Sequence, residues 1–421
     1  MRLLFIHQNF PGQYRHLAAH CASQPGNVVA ALGETTNLRR PRLPGVRLFG
    51  YPGPRAGTPG FEEPVVRAVR RGRAVAAAAM QLRRAGFRPQ VVFAHIGWGE
   101  ALFLKDVFPE ARVLLYCEFF YRAHGADMGF DPEFRPSAEK VLRLRVMNAP
   151  LLMSLDASDA GVAPMRWQQC QFPAPYASRL NVVHDGIDTD AASPGKSADE
   201  ELITYVARNL EPYRGFHVFM RAIPHLQRLR PKARVVIVGG DAVSYSPRLP
   251  GGDTYRAHML RKLEGKIDLT RVEFRGRIPY GEYLALLRRS SVHVYLTYPF
   301  VLSWSLLEAM SAGCLVVASR TPPVQEVIRD GENGLLAEFF SPEALAARID
   351  FALENRRELQ PLRDRARQTI LARYDLRRVC LPAQLALVQK LADSARVVRM
   401  AHHDRLLAVG AGRDQVDRHG A

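Results

Sequence analysis

Short apolar runs alternate with amphipathic stretches along most of this chain. In the first half, runs of strand length lie at Leu3–Ile6, Val28–Leu32, Val91–Ala94, Arg112–Cys117, Val162–Ala163 and Asn181–His184. Stretches of helical character separate them, among them Pro64–Ala85, Glu100–Phe108 and Pro132–Met147. Strands that are covered on both faces give continuous apolar runs, so the alternation predicts a doubly wound parallel sheet.

A second alternating unit begins at Leu202. Its predicted strands include Leu202–Val206, Arg234–Val238, Val272–Arg275, Val292–Leu296 and Leu315–Ala318. Between the two units, Thr189–Glu201 has the composition of a linker. The sequence therefore predicts an α/β protein with two Rossmann-like domains, 1–190 and 201–375, that face each other across a cleft. We expect residues 376–421 to form a helical tail that packs back towards the first domain and is loose at its end.

The segment from Tyr298 to Ser319 combines a loop, a helix and a strand. Ser303 and Ser305 can cap the helix, around Trp304, and Gly313 ends it. A helix N-terminus at the edge of an α/β sheet is suited to an anion. Glu308, one to two turns into the helix, can accept hydrogen bonds from sugar hydroxyls. An ordinary strand–helix unit with one exposed glutamate explains the same pattern.

Two arginines follow the first strand of the second unit. Arg208 and Arg214 precede Gly215, which opens a helix, and together they can form a pyrophosphate clamp. The alternative is two solvated loop arginines.

Several other strand ends carry candidate residues. The turn at Gly276, Arg277 and Ile278 can bring backbone groups close to a planar base, and Gly12 can do the same for a phosphate. Glu118 and His95 can serve as general acid or base, although a lone histidine at a strand end is often structural.

The formal net charge of +17 changes the choice of partners. A basic chain suits nucleic acid, an anionic membrane surface or phosphorylated small molecules, but no nucleic-acid-binding motif is present. Biased composition can also produce an arginine-rich chain. The five cysteines are scattered, without the spacing of a zinc site or a disulfide framework. The acidic triplet Asp188-Thr-Asp190 lies in the linker, and we interpret it as a loop feature, so we expect no metal and no cofactor.

The beginning of the chain turns polar too soon for a signal peptide, and no apolar run has the length of a membrane span. We therefore expect a cytoplasmic protein.

A set of motifs in the second half resembles glycosyltransferase family 4. They occur in the order of that family, at 185–188, 208–215, 238–240, 276–278, 308–313, 316–319 and 326–334. The resemblance implies the GT-B fold and retaining transfer of a sugar from a nucleoside diphosphate donor to a hydroxyl acceptor. The first half agrees with the family in pattern only.

The resemblance also implies roles for single residues. Arg208 and Arg214 would bind the donor diphosphate, Glu308 the donor ribose, and the loop at Arg277 and Ile278 the base. Gly12 would border the phosphate and the reaction centre.

One position departs from the family pattern. Phe300 stands where the family has the first of two glutamates, which normally contacts the transferred sugar. Glu118 is our candidate to replace that carboxylate.

Two other functions stay open at this point. The first is a catalytically silent binding or scaffold protein, and the second is another GT-B enzyme such as an epimerase or a phosphorylase. The basic helix Val65–Arg73, with Arg143 and Arg145, fits an anionic membrane or a lipid-linked acceptor. A solvated arginine-rich face explains these residues as well.

Overall fold

The computed structural model describes residues 1–38, 43–55, 57, 60–195 and 201–395. Residues 196–200 of the predicted linker and the end of the predicted tail lie outside the described residues.

The first sheet is built from seven parallel strands. These are β1 (Arg2–Ile6), β2 (Val28–Glu34), β3 (Val46–Tyr51), β4 (Val91–His95), β5 (Arg112–Tyr116), β6 (Ala160–Ala163) and β7 (Leu180–Val182). Their spatial order is β3-β2-β1-β4-β5-β6-β7. In the central strand β1, Leu3, Leu4, Phe5 and Ile6 are fully buried. Helices on both faces cover these side chains, which explains the unbroken apolar run.

The second sheet is built from six parallel strands. These are β8 (Leu202–Asn209), β9 (Arg234–Gly240), β10 (Val272–Gly276), β11 (Val292–Tyr295), β12 (Val316–Ser319) and β13 (Leu335–Ala337). Their order, β10-β9-β8-β11-β12-β13, is the Rossmann order, with the reversal between β8 and β11. The predicted class of two doubly wound α/β domains is confirmed.

In the described part of the chain, thirteen α-helices lie between and after these strands. They are α1 (Arg15–Ser23), α2 (Glu63–Arg84), α3 (Leu104–Val107), α4 (Ala138–Asp156), α5 (Arg166–Gln169), α6 (Ala174–Ala177), α7 (Phe216–Leu229), α8 (Tyr255–Lys262), α9 (Tyr280–Arg289), α10 (Trp304–Ser311), α11 (Pro322–Gln325), α12 (Pro342–Glu354) and α13 (Gln360–Arg373). Residues 381–395 form one further helix, α14. No helix of the described residues has both the length and the apolar character needed to cross a membrane.

Some predicted elements differ from the observed ones. The strand β3 was not predicted, because it lies at a sheet edge and buries only some of its residues. The helix predicted over Glu100–Phe108 is correct only for α3, since turns occupy residues 100–103. The predicted helix Pro132–Met147 begins later, at Ala138, and continues through Pro150 to Asp156.

The helix α14 packs on the first sheet. Val388, Leu391 and Ala392 are buried in the same apolar cluster as Leu3 and Phe5. The Arg112 Nε atom donates a hydrogen bond to Ser394 Oγ at 3.0 Å. The chain thus crosses from the second domain back to the first.

Polar contacts also join the domains beside the cleft. Asp131 Oδ2 accepts hydrogen bonds from Tyr298 Oη at 2.6 Å and lies 2.9 Å from His217 Nε2. The carboxylate of Glu326 accepts from the backbone amides of Arg166 and Trp167 at 2.8 and 2.7 Å. These contacts fix how the two sets of strand ends face each other.

Candidate active site

A cleft with two chambers lies where the carboxyl ends of the two sheets meet. The outer chamber has a volume of about 670 Å³ and the inner one about 220 Å³. We call the part that both chambers share the neck, and its lining is Gln13, Asp185, Val206, Ala207, Arg208, Ser303, Trp304 and Ser305. Cavities at this place in open parallel sheets are where such folds bind ligands.

The outer chamber is built around Glu308. Its two carboxylate oxygens accept hydrogen bonds from Tyr280 Oη at 2.8 Å and Tyr283 Oη at 2.9 Å. Burial raises the pKa of Glu308, and the two hydroxyls oppose this only in part. Each oxygen keeps further acceptor capacity, so the carboxylate can take hydrogen bonds from a ligand's hydroxyls.

One wall of the outer chamber is the turn after β10. Gly276 has a φ of 61°, which brings Arg277 and Ile278 to the cavity. The Arg277 Nη2 atom donates to Asn209 Oδ1 at 2.9 Å. A Cβ atom at Gly240 would lie 2.7 Å from Arg277 Nε, so a glycine is needed there for the guanidinium to lie across the backbone.

The neck holds a free cation next to a helix N-terminus. Arg208 is exposed and donates no hydrogen bond to another described residue. The Ser303 side chain caps α10 by accepting from Ser305 N at 3.3 Å. Arg208 and the N-terminus of α10 therefore line the same part of the cleft, which suits an anion.

Arg208 lies near the end of the strand β8 and not in the loop that the sequence predicted. Between Val206 and Asn209 the register of β8 against β9 shifts. This register shift coincides with Arg208, the exposed residue that follows the mostly buried positions of β8.

Arg214 is in a different situation from Arg208. It is buried, and its Nη1 atom donates to Thr297 Oγ1 at 3.0 Å and to the carbonyl of Val301 at 2.9 Å. Its guanidinium lies 5.8 Å from the centre of the Tyr245 ring. Arg214 lines only the inner chamber and supports the loop that leads into α10.

Glu118 lies in the inner chamber with His95 behind it. Glu118 Oε1 accepts from Gln13 Nε2 at 3.2 Å, and Oε2 lies 3.5 Å from His95 Nε2. Because His95 Nδ1 accepts from Gly97 N at 2.9 Å, its proton is on Nε2 and faces the carboxylate. Burial alone would raise the pKa of Glu118, but the nearby His95, together with His7 and Gln13, outweighs this effect, so this pKa lies below its usual value.

Gly12 also stands behind the inner chamber. Its φ is 47°, and a Cβ atom there would lie 2.6 Å from Cε1 of His7. Three predicted site residues line neither chamber and lie behind residues that do. They are Gly12, His95 and Gly276.

Phe300 is buried in an aromatic cluster beside the inner chamber. Its ring centre lies 4.6 Å from that of Phe119, 4.7 Å from Tyr245 and 5.4 Å from Tyr213. The residues that line the chamber from this loop are Val301 and its successors. Phe300 therefore joins the two domains through apolar packing, and it presents no polar group to a ligand.

The structure adds cleft residues to which the sequence analysis gave no role. Among them are Gln13, Asp185, Tyr280 and Tyr283. Asp185 belongs to one of the quoted motifs, but its contacts come from residues far along the chain. No local pattern therefore marked it.

Acidic side chains elsewhere in the described structure are paired with other protein groups. Asp188 and Asp190 both accept hydrogen bonds from Arg377 Nη1, at 2.8 and 2.9 Å. In the described part of the chain, one group of three side chains has a spacing that could hold a metal, and it comprises Asp131, Glu133 and His217. Glu133 pairs with Arg221, and Asp131 and His217 join the domains, so protein contacts already account for this group.

Two family models match consecutive parts of the chain. Residues 25–192 match the glycosyl transferase family 4 group, and residues 186–369 match the glycosyl transferases group 1. The chain belongs to the group 1, family 4 type of glycosyltransferases.

Two curated relatives match parts of the chain. A D-inositol 3-phosphate glycosyltransferase from Corynebacterium glutamicum is 28% identical over 194 residues, which are 42% of this chain and 44% of the relative. A phosphatidyl-myo-inositol mannosyltransferase from Mycobacterium tuberculosis is 26% identical over 242 residues, 55% of this chain and 58% of the relative. The match thus spans less than two thirds of each relative's length.

Solved structures match over nearly the whole chain. The Anabaena protein HepE in complex with UDP has a TM-score of 0.66 at 15% identity, covering 93% of this chain and 100% of its own. Sucrose-phosphate synthase from Thermosynechococcus elongatus has a TM-score of 0.70 at 18% identity, with the same coverage. The predicted GT-B fold is thereby confirmed.

Proposed function

We propose that this protein is a retaining glycosyltransferase that moves a sugar from a nucleoside diphosphate donor to a hydroxyl acceptor. The observation that carries the proposal is the neck, where the exposed Arg208 and the N-terminus of α10 line both chambers. A linear donor with a doubly charged centre fits this arrangement.

Each part of the donor has a matching part of the cleft in this proposal. The nucleoside lies in the outer chamber, with the ribose hydroxyls on Glu308 and the base against the turn at Arg277 and Ile278. The diphosphate lies at the neck, and the sugar enters the inner chamber near Glu118. The related fold of the Anabaena protein solved with UDP favours a uridine donor.

The proposed reaction replaces one bond to the anomeric carbon by another. The bond from this carbon to the β-phosphate oxygen breaks, the bond to the acceptor oxygen forms, and the acceptor's proton goes to the departing phosphate. Arg208 and the α10 amides stabilise the charge that develops on the diphosphate, so the leaving group needs no general acid.

If the acceptor attacks the sugar on the same face from which the diphosphate departs, the anomeric configuration is retained. Two carboxylates of the inner chamber are already engaged, Glu118 by Gln13 and His95, and Glu211 by the backbone amides of residues 244–246. This engagement favours the same-face route over a covalent intermediate on either of them.

The acceptor side of the proposal rests on a basic face of the first domain. Arg67, Arg70 and Arg73 are exposed at helical spacing on α2, and Arg145 is exposed on α4. Arg143 of α4 lies 3.5 Å from Glu63 of α2, so the two helices form one face. We propose that this face contacts an anionic membrane surface, which is consistent with a relative named for a phosphatidyl-inositol acceptor.

Vesicle sedimentation tests the membrane contact. The protein should bind vesicles that contain phosphatidylglycerol at low ionic strength and release them at high salt, while pure phosphatidylcholine vesicles should not bind. The triple variant Arg67→Ala, Arg70→Ala, Arg73→Ala should lose this binding. Equal binding by the variant would show that the face is not the contact.

Thermal stabilisation by a panel of nucleoside diphosphates and their sugars tests the donor assignment. A ligand at about 100 times its Kd should add about 2.7 kcal/mol to the free energy of unfolding. The shift should be much smaller for Glu308→Ala and unchanged for the exposed control Glu332→Ala. A panel without any stabilising nucleotide would contradict the proposal.

A catalytically silent nucleotide-binding protein is the alternative. Phe300 supports it, because this side chain offers no polar group to a sugar. Measured release of nucleoside diphosphate from the donor decides between the two. Turnover supports the transferase, and binding without turnover in the presence of a broad acceptor mixture would favour the silent protein.

A further inference from the structure

Asp185 is the carboxyl group at the neck of the cleft. It follows the strand β7, and it is buried, with an exposed fraction of 7%. It lines both chambers together with Arg208 and the start of α10. A carboxylate in this place would face the diphosphate of a bound donor, which is unfavourable if both are charged.

The two oxygens of Asp185 have different surroundings. Oδ2 accepts hydrogen bonds from Tyr116 Oη at 3.0 Å and from Trp304 Nε1 at 2.9 Å. Trp304 is the first residue of α10, so one oxygen ties the first domain to the helix of the second. Oδ1 accepts no hydrogen bond from any other residue that the structure describes, and it is not enclosed by protein atoms. Oδ1 is therefore the oxygen that can meet a ligand.

We propose that Asp185 holds the donor's diphosphate as a neutral carboxylic acid, whose proton on Oδ1 is donated to a phosphate oxygen, so that binding of the nucleotide takes up one proton. This inference rests on the proposed function. Arg208 supplies charge to the diphosphate, whereas Asp185 supplies a hydrogen bond that exists in one protonation state only.

The surroundings of Asp185 favour the neutral acid. The titratable and charged groups that face it are Tyr14, Tyr116, Glu118, His184, Arg208 and Cys380. Burial raises the pKa of Asp185 to about 7, and the negative charge of Glu118 adds to this effect. The hydrogen bonds from Tyr116 and Trp304 lower this pKa, but burial outweighs them.

The one histidine among these neighbours, His184, supplies no compensating positive charge. Burial lowers the pKa of His184 to about 4, so this side chain is neutral near pH 7. The phosphate charges of a bound nucleotide would raise the pKa of Asp185 further. In the free protein above pH 7 the carboxyl group is ionised, and binding must then take up a proton.

Calorimetric titration with UDP at pH 8 tests this inference. At this pH the nucleotide's own phosphate has lost its proton, because the second phosphate pKa is about 6. Repeating the titration in buffers with different enthalpies of ionisation gives the number of protons taken up. We expect about one proton for each UDP bound, and an affinity that falls about tenfold for each pH unit above 7.

Two variants separate Asp185 from other groups. Asp185→Asn keeps a hydrogen-bond donor without a charge, and it should bind UDP with no proton uptake and with an affinity that is independent of pH between 7 and 9. Trp304→Phe removes a hydrogen bond that stabilises the ionised carboxylate, and it should move the decline in affinity to higher pH.

The outcomes distinguish this inference from the proposed function. UDP binding without proton uptake, or uptake that persists in Asp185→Asn, would overturn the role of Asp185 and leave the transferase assignment standing. If UDP, GDP and ADP all failed to bind the wild-type protein, both the proposed function and this inference would be wrong.

Discussion

Arg208 and Arg214 are only six positions apart in the sequence, yet they differ in availability. Arg208 is exposed at the neck, and among the described residues no partner accepts a hydrogen bond from it. Arg214 is buried, and its guanidinium is held by Thr297 and Val301. The sequence pattern predicts the same role for both, but Arg208 has no partner among the described residues, whereas one nitrogen of Arg214 already supports the loop before α10.

The difference extends to the two chambers. In the outer chamber Glu308 accepts two hydrogen bonds from tyrosines and keeps capacity for a ligand. In the inner chamber Glu118, Glu211 and Arg214 are each engaged by protein groups. In our proposal the outer chamber and the neck bind the donor, while the charges of the inner chamber mainly hold loops in place. A charged side chain in a cleft is evidence for a ligand only when its partners are known.

Replacing Arg208 should have the largest effect on catalysis. Arg208→Ala should lower kcat/KM for the donor by about 10²–10³-fold, because it removes a cation from the site where charge develops. The midpoint of thermal unfolding should not change, since the side chain is exposed. Steady-state kinetics and calorimetry measure both quantities.

Arg275→Ala, an exposed arginine outside the cleft, is the matched control, and Arg208→Lys should keep part of the activity. Normal turnover of Arg208→Ala would contradict the assignment of the neck.

Replacing Arg214 should combine a smaller loss of activity with a loss of stability. Arg214→Ala leaves the buried Thr297 hydroxyl and Val301 carbonyl without a donor, which should lower the free energy of unfolding by about 1–3 kcal/mol. The loop before α10 should loosen, and kcat/KM should fall by about ten- to a hundredfold. Denaturant titration beside the kinetics separates the two effects, and unchanged stability would show that Arg214 does not support the loop.

Replacing Glu308 should affect binding more than the chemical step. Glu308→Gln keeps the shape of the side chain but loses the charge, so KM for the donor should rise about tenfold with kcat little changed. Glu332→Gln is the control. A fall in kcat at constant KM would place Glu308 in the chemical step instead.

Replacing Phe300 should have the smallest effect on activity. Phe300→Leu keeps most of the apolar volume and should cost less than about 1.5 kcal/mol of stability. Activity should stay within about threefold, because Phe300 is not part of the chamber lining. Phe300→Glu restores the residue type of the family but buries an unpaired charge, so it should destabilise the protein strongly. A gain of activity in Phe300→Glu would contradict this view of the position.

The sequence alone was enough for the parallel architecture. Buried strands such as β1 and β9 show as unbroken apolar runs, because helices cover both of their faces. The edge strand β3 has no such run, and the short helices α5 and α6 give too few residues for a period to be recognised.

The cleft could be predicted only in part. Glu308, Arg277 and Ser303 lie in motifs near strand ends, where ligands of this fold class bind. The pairings of Asp185 with Trp304 and of Glu118 with Gln13 span 119 and 105 positions, so no local pattern reveals them. The difference between Arg208 and Arg214 likewise depends on the loop at Thr297 and Val301, which is distant in sequence from both.

A crystal structure of the protein with UDP would test the central claim most directly. We predict that the diphosphate lies at the neck, with phosphate oxygens within hydrogen-bond distance of the Arg208 guanidinium and the backbone amides at the start of α10. The ribose should contact Glu308 in the outer chamber. A nucleotide bound outside the neck, or one whose phosphates contact Arg214 while Arg208 stays in solvent, would contradict the account.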